Sequence, residues 1–172
     1  MIFVMNNNLE NLFEHFKIQI KKRKGHRWAT FNTFGERYPH SRNIIIRELN
    51  DNSLFFFTHS LSQKVEDINR NSATSLCWYD QKHHLQLQFF GETKIANSKT
   101  ISKYKENIQN FRDYQGPRPG SPITSLFDKD IHFTVLQMQI DELIALRLGR
   151  ESHRKTKFVF HNGETLKTEV TP

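Results

Sequence analysis

A mainly β (α+β) domain, a β-barrel with peripheral helices, is the architecture this chain predicts. Three observations carry it. Short segments rich in β-branched and aromatic residues recur along the chain, with 15 phenylalanines among its 172 residues. Polar turn residues separate several of them at hairpin spacing, as at Asn50-Asp51-Asn52-Ser53 and Asn162-Gly163. Helical periodicity is confined to three stretches, and no internal repeat or domain boundary interrupts the pattern, so one domain spans residues 1–172.

In chain order, Leu9, Leu12, Phe13, Phe16 and Ile20 recur at helical spacing and predict an amphipathic helix over Asn8–Lys21. Lys21-Lys22-Arg23-Lys24 place cations in its last turn, Gly25 stops it, and residues 1–25 lead into the barrel. Strands follow at Trp28–Phe34, Asn43–Leu49 and Leu54–Thr58, the last two joined as a hairpin. Ser62–Asn69 reads as a short helix with Val65 and Ile68 facing inward. Thr74–Tyr79 and Leu85–Thr93 form another strand pair, and Leu85, Leu87 and Phe89 alternate with Gln86 and Gln88. Ile101, Tyr104, Ile108 and Phe111 mark a second long helix, and Gly116–Pro122 forces an irregular loop that is either a lid or a simple crossing. Strands at His132–Ile140, Ile144–Leu148, Lys157–His161 and Thr165–Val170 complete the chain.

Composition narrows the function classes. No apolar run approaches the roughly 20 residues that span a bilayer, and the opening Met1–Met5 is too short for a signal-peptide core. A single cysteine, Cys77, rules out an intrachain disulfide framework and lies in an apolar run that predicts an inert core thiol. A cytoplasmic protein without a membrane partner is expected. The formal charge of +7 suits an anionic partner without choosing among phosphate cofactor, nucleic acid and membrane surface. Lys21–Lys24 read as a solvated helix end, and no ordered nucleic-acid-binding motif accompanies them.

The stretch from Arg42 to Lys64 concentrates the chemistry. Arg42 and Arg47 bracket Asn43-Ile44-Ile45-Ile46, and Thr58, Ser62, Gln63 and Lys64 gather where a strand gives way to a helix. Hydroxyls, cations and a helix N-terminus are what a phosphate monoester needs. Taken singly, the Arg-flanked run reads first as a strand with solvated ends, and Thr58, Ser62 and Lys64 as an ordinary N-cap region; their joint spacing favours the phosphate reading. His83-His84 point to opposite strand faces, and no further ligand set accompanies them in the sequence, so no metal is expected.

The order of these motifs resembles the pyridoxamine 5'-phosphate oxidase family, over roughly Trp28 to Pro172. The resemblance rests on Arg42–Arg47, on Phe57-Thr58-His59 followed by Ser62-Gln63-Lys64, on Gln86 five residues before Gly91, and on Leu146-Arg147-Leu148-Gly149-Arg150-Glu151-Ser152-His153-Arg154. It implies an FMN-binding split β-barrel and a homodimer with FMN at the interface. Arg42 and Lys64 would neutralise the flavin phosphate, with Thr58, Ser62 and Gln63 as hydrogen-bond partners and Arg47 and Phe57 close by. The backbone of Asn43, Ile44 and Ile45 would run beside the flavin ring, Gln86 would meet its polar rim, and Arg147 and Lys157 would approach from the other subunit. His153, Arg154 and Lys155 are the substrate-binding candidates. Gln63 stands where the family has Arg, Arg147 where it commonly has Trp, and Glu169-Val170-Thr171-Pro172 where it closes with Arg-Leu-x-Pro.

The implied activity is FMN-dependent oxidation of a small, in the family's default case phosphorylated, amine or alcohol with dioxygen as acceptor. The alternatives are a flavin protein of this fold with another substrate or a storage or sensing role, and a basic nucleic-acid-binding domain.

Overall fold

A computed structural model describes residues 8–22, 27–110, 132–150 and 152–171, with the backbone alone for 107–110. The expected Gly116–Pro122 loop and the Arg23-Lys24-Gly25 end of the first helix lie outside these residues. Three helices are present among the described residues: α1 (Leu9–Lys21), α2 (Gln63–Arg70) and α3 (Ser98–Asn110). The strands are β1 (Trp28–Phe34), β2 (Pro39–Asn50), β3 (Ser53–His59), β4 (Ala73–Asp80), β5 (Leu85–Ile95), β6 (Phe133–Leu148), β7 (His153–His161) and β8 (Glu164–Val170).

All eight strands form one antiparallel sheet in the order β3-β2-β1-β4-β5-β6-β7-β8, and a further β3–β6 pairing closes the first six into a barrel. Closure gives β3 a partner on both sides, β2 and β6. Leu12, Phe16, Phe31, Ile46, Leu54, Phe56, Leu76, Trp78, Leu87, Phe89 and Leu143 are buried in its core. The α1 face contributes directly, since Phe16 meets both Trp78 and Phe89 edge-on or tilted. Asn8 caps α1 by accepting from the Glu10 amide.

The sequence divides β6 into two strands, but the chain runs through Asp141-Glu142 without a turn. The register instead shifts by one residue, opposite Phe90 and Gly91, as a bulge. This bend lets the first half of β6 pair with β3 and the second half with β7. A Cβ on Gly91 would sit 1.9 Å from the Gln139 carbonyl oxygen, so the close approach requires glycine. Asn162 and Gly163 adopt φ of 50° and 82°, the left-handed pair of a tight hairpin turn. Cys77 departs from its expected core position. Leu76 and Trp78 face inward, so strand alternation puts the half-buried thiol on the outer face, where burial still pushes its pKa up.

Candidate functional site: a cationic fork between two strands

The β2–β3 ladder runs from Asn50↔Ser53 to Ile46↔Phe56 and ends there, although β2 continues back to Pro39 and β3 onward to His59. Beyond Ile46 and Phe56, β2 pairs with β1 and β3 with β6, so the two strands part and leave a fork. Arg42 stands on one arm and Thr58 on the other, both on the inward parity set by Ile44, Ile46, Leu54 and Phe56. The short turn after β3 starts α2 at Gln63, with Ser62 as its N-cap.

Lys64 folds back so that Nζ donates to Thr58 Oγ1 at 2.9 Å, and Thr58 Oγ1 lies 3.2 Å from Ser62 Oγ. The Ser62 side chain makes no capping bond to α2, although its carbonyl accepts the first helical amides. The first-turn N–H groups of a helix lack intrahelical partners and carry partial positive charge. Burial first, and then the charge of neighbouring Arg42, hold the Lys64 ammonium below its ordinary pKa. A bound anion would relieve the repulsion that Lys64 feels from Arg42.

Behind the fork lies Asp67, 0% exposed. Its Oδ2 accepts from Thr33 Oγ1 at 2.6 Å, lies 2.9 Å from His40 Nδ1 and meets Arg42 Nη2 at 3.4 Å; Oδ1 accepts from Arg70 at 3.0 Å. Arg42 Nη1 also donates to Thr33 Oγ1 at 2.7 Å, which aims the guanidinium. Burial alone would push the Asp67 carboxyl up. The Thr33 hydroxyl, His40 and Arg70 outweigh that and hold it below the usual carboxylate range. Asp67 is therefore ionised and anchors Arg42 from beneath. Sequence reading missed Thr33, His40 and Asp67. Asp67 is about 100° from Ile68 and 200° from Val65 around the helix, so periodicity gives it no reason to be buried.

The other expected site residues divide among three places. Arg42, Thr58, Ser62 and Lys64 converge at the fork, with Gln63 exposed at the start of α2. Ile44 faces the core, while Asn43 and Ile45 face outward from the edge of β2 beside the fork. Arg47 is drawn elsewhere: its guanidinium lies over the Phe57 ring at 4.9 Å, and Phe57 packs against Tyr104 of α3. Gln86, Leu146 and Lys155 share one outward row across β5, β6 and β7, and Gln88, Ile144 and Lys157 share the next. Lys157 pairs with Glu142. Arg147 and Arg154 face each other across β6 and β7 at the far barrel end, where Arg147 also feels Asp80. His153 is exposed. His153, Arg154 and Lys155 thus alternate faces and do not form one cluster.

The fork fits a flavin phosphate: two cations, two hydroxyls and a helix N-terminus meet where a strand edge is left open for the ring. Residues 6–97 match the family described as pyridoxamine 5'-phosphate oxidase, FMN-binding domain. No curated protein sequence matches the chain. A pyridoxamine 5'-phosphate oxidase-related, FMN-binding protein from Nostoc punctiforme PCC 73102 superposes with a TM-score of 0.74 at 16% identity, covering 98% of this chain and 99% of that one. PhzG from Burkholderia lata 383, solved with tetrahydrophenazine-1-carboxylic acid, gives 0.69 at 14% identity over 86% and 83%. HupZ from Group A Streptococcus gives 0.54 at 15% identity over 79% and 94%. The chain belongs to the FMN-binding pyridoxamine 5'-phosphate oxidase family, with the split-barrel fold and FMN as its cofactor.

Proposed function

We propose that the protein is an FMN-dependent oxidoreductase that oxidises a small amine or alcohol with dioxygen as acceptor, working as a homodimer. The convergence of Arg42, Lys64, Thr58 and Ser62 at the fork carries this reading. FMN supplies the redox chemistry, taking two electrons from the substrate and passing them to dioxygen to give hydrogen peroxide. The chain's own residues bind and orient. Arg42 and Lys64 neutralise the phosphate, Thr58 and Ser62 fix its rotation, and Asp67 holds Arg42 in place.

The dimer reading rests on the family resemblance, which puts Gln86 and Lys157 beside the flavin, together with distance. Gln86 on β5 is three strands from β2, about 14 Å of sheet at about 4.8 Å per strand. A flavin lying along Asn43–Ile45 of one chain is therefore better met by Gln86 and Lys157 of a second copy. Sedimentation of the holoprotein tests this, with a monomer at micromolar concentration as the result that overturns it.

A second reading concerns the substrate. Because strand alternation separates Arg154 from His153 and Lys155, these residues supply no joint clamp for a substrate phosphate within one chain. That favours a substrate other than pyridoxamine 5'-phosphate, or flavin storage or sensing. Releasable FMN in the purified protein, with peroxide formed from pyridoxamine 5'-phosphate, would establish the default oxidase. Bound FMN without peroxide would leave the second reading, and failure to bind added FMN would remove both.

A further inference from the structure

At the barrel end opposite the fork, three ligating side chains from distant parts of the sequence meet. His15 on α1, Asp80 at the end of β4 and His83 in the following turn place one donor atom each within 4.8 Å of one another. His15 Nε2 lies 2.8 Å and His83 Nδ1 2.7 Å from the same oxygen, Asp80 Oδ2. The other oxygen, Oδ1, accepts the backbone amides of Lys82 and His83, which fixes the carboxylate plane. His15 and Asp80 are 5% and 1% exposed, whereas His83 is one-third open to solvent. Sequence reading found no ligand set for His83, because its partners are separated along the chain and only the fold brings them together.

We propose that His15, Asp80 and His83 form a binding site for a divalent transition-metal ion, zinc by preference, that ties α1 to the β4–β5 turn. Two imidazole nitrogens and one carboxylate oxygen are a borderline donor set, suited to zinc, copper or nickel and not to the hard cations that need oxygen alone. The amide-held carboxylate supplies the oriented outer shell that metal-binding carboxylates require. Tetrahedral zinc at about 2.1 Å from each donor needs donors about 3.4 Å apart, so each hydrogen-bonded gap must widen by about 0.6–0.7 Å. His83 sits in a three-residue turn at the surface, where that movement is small, and its open side leaves room for water as a fourth ligand. Each neutral ring moves its proton to the other nitrogen, so no net proton is released. The ion works against the nearby positive charge of Arg147, which acts on both His15 and Asp80.

Tag-free holoprotein should be equilibrated with zinc chloride, passed through gel filtration and assayed for zinc per chain and for melting temperature. Uptake of about one zinc per chain with a raised melting temperature is expected, lost in His83→Ala and kept in His84→Asn. Both positions are at the surface, and flavin absorbance reports that the barrel is intact in each. No retained zinc in the wild type, equal retention in His83→Ala, or loss in His84→Asn would each overturn the assignment.

Discussion

The Arg42 guanidinium reaches Oδ2 of Asp67 at 3.4 Å, and that carboxylate has no contact with solvent. The same oxygen accepts from Thr33, which Arg42 also contacts, so the cation is held by two neighbours that hold each other. Arg42 is thereby held in place, near enough for its charge to act on Lys64, before any anion arrives. Preorganisation of this kind reduces the ordering cost of binding.

Removing both cations is the direct test of the fork. Arg42→Ala with Lys64→Ala should weaken FMN binding by about 3–6 kcal/mol, taking about 1.5–3 for each charge-assisted contact. Flavin fluorescence quenching measures this, and an unchanged dissociation constant would place the phosphate elsewhere.

Asp67→Asn keeps the shape but removes the charge beneath Arg42. A loss of about 2–3 kcal/mol in urea unfolding at pH 7 is expected, since Arg42 and Arg70 are partly solvated and lose only part of their pairing. The pH dependence has a definite sign. The folded carboxyl lies below its ordinary value of about 3.9, so its stabilisation is complete above that pH and fades as pH falls through the folded value. The gap between wild type and variant should therefore be present at pH 5 and close in strong acid.

Lys64 supplies the opposite limb. Its free-protein pKa is lowered by burial and by Arg42, and a bound phosphate dianion would raise it again. FMN affinity should be full below the lowered value and fall as pH rises through it, by up to about tenfold per unit. Lys64→Met should bind more weakly at pH 7 and lose this alkaline slope. A slope that persists in the variant would assign the proton to another group.

Gly91→Ala should disturb the bulge, because the new methyl would enter the Gln139 carbonyl at 1.9 Å. Both sides of that contact are backbone, so relief requires moving β6. A loss of about 3 kcal/mol, the upper range for overpacking, is expected in chemical denaturation. A neutral result would mean that the β5–β6 crossing is looser than the register implies.

Much of this molecule can be read along the chain. The α1 helix, the Trp28–Phe34 strand, the Asn162-Gly163 turn and the alternation from Leu85 to Phe89 all follow from periods of two or 3.6 residues and local turn chemistry. The four fork residues could be named because a strand end and a helix start lie close together in the chain, and local spacing controls both. The break placed within β6 shows the limit: Asp141-Glu142 looks like a turn in sequence, yet it is a bulge whose role depends on which strands lie beside it.

By itself, the sequence determined the β-rich framework, the family resemblance and the four residues that meet at the fork, because each is encoded by neighbouring residues or by ordered motifs. Only the tertiary structure decided which charges act together. It sent Arg42 to Asp67 and Arg47 to the Phe57 ring, though both arginines stand on the same strand. It also brought His15 to Asp80 across 65 positions. Coulombic, hydrogen-bonding and ligating partnerships depend on distance in space and on exclusion of water, and barrel closure sets both.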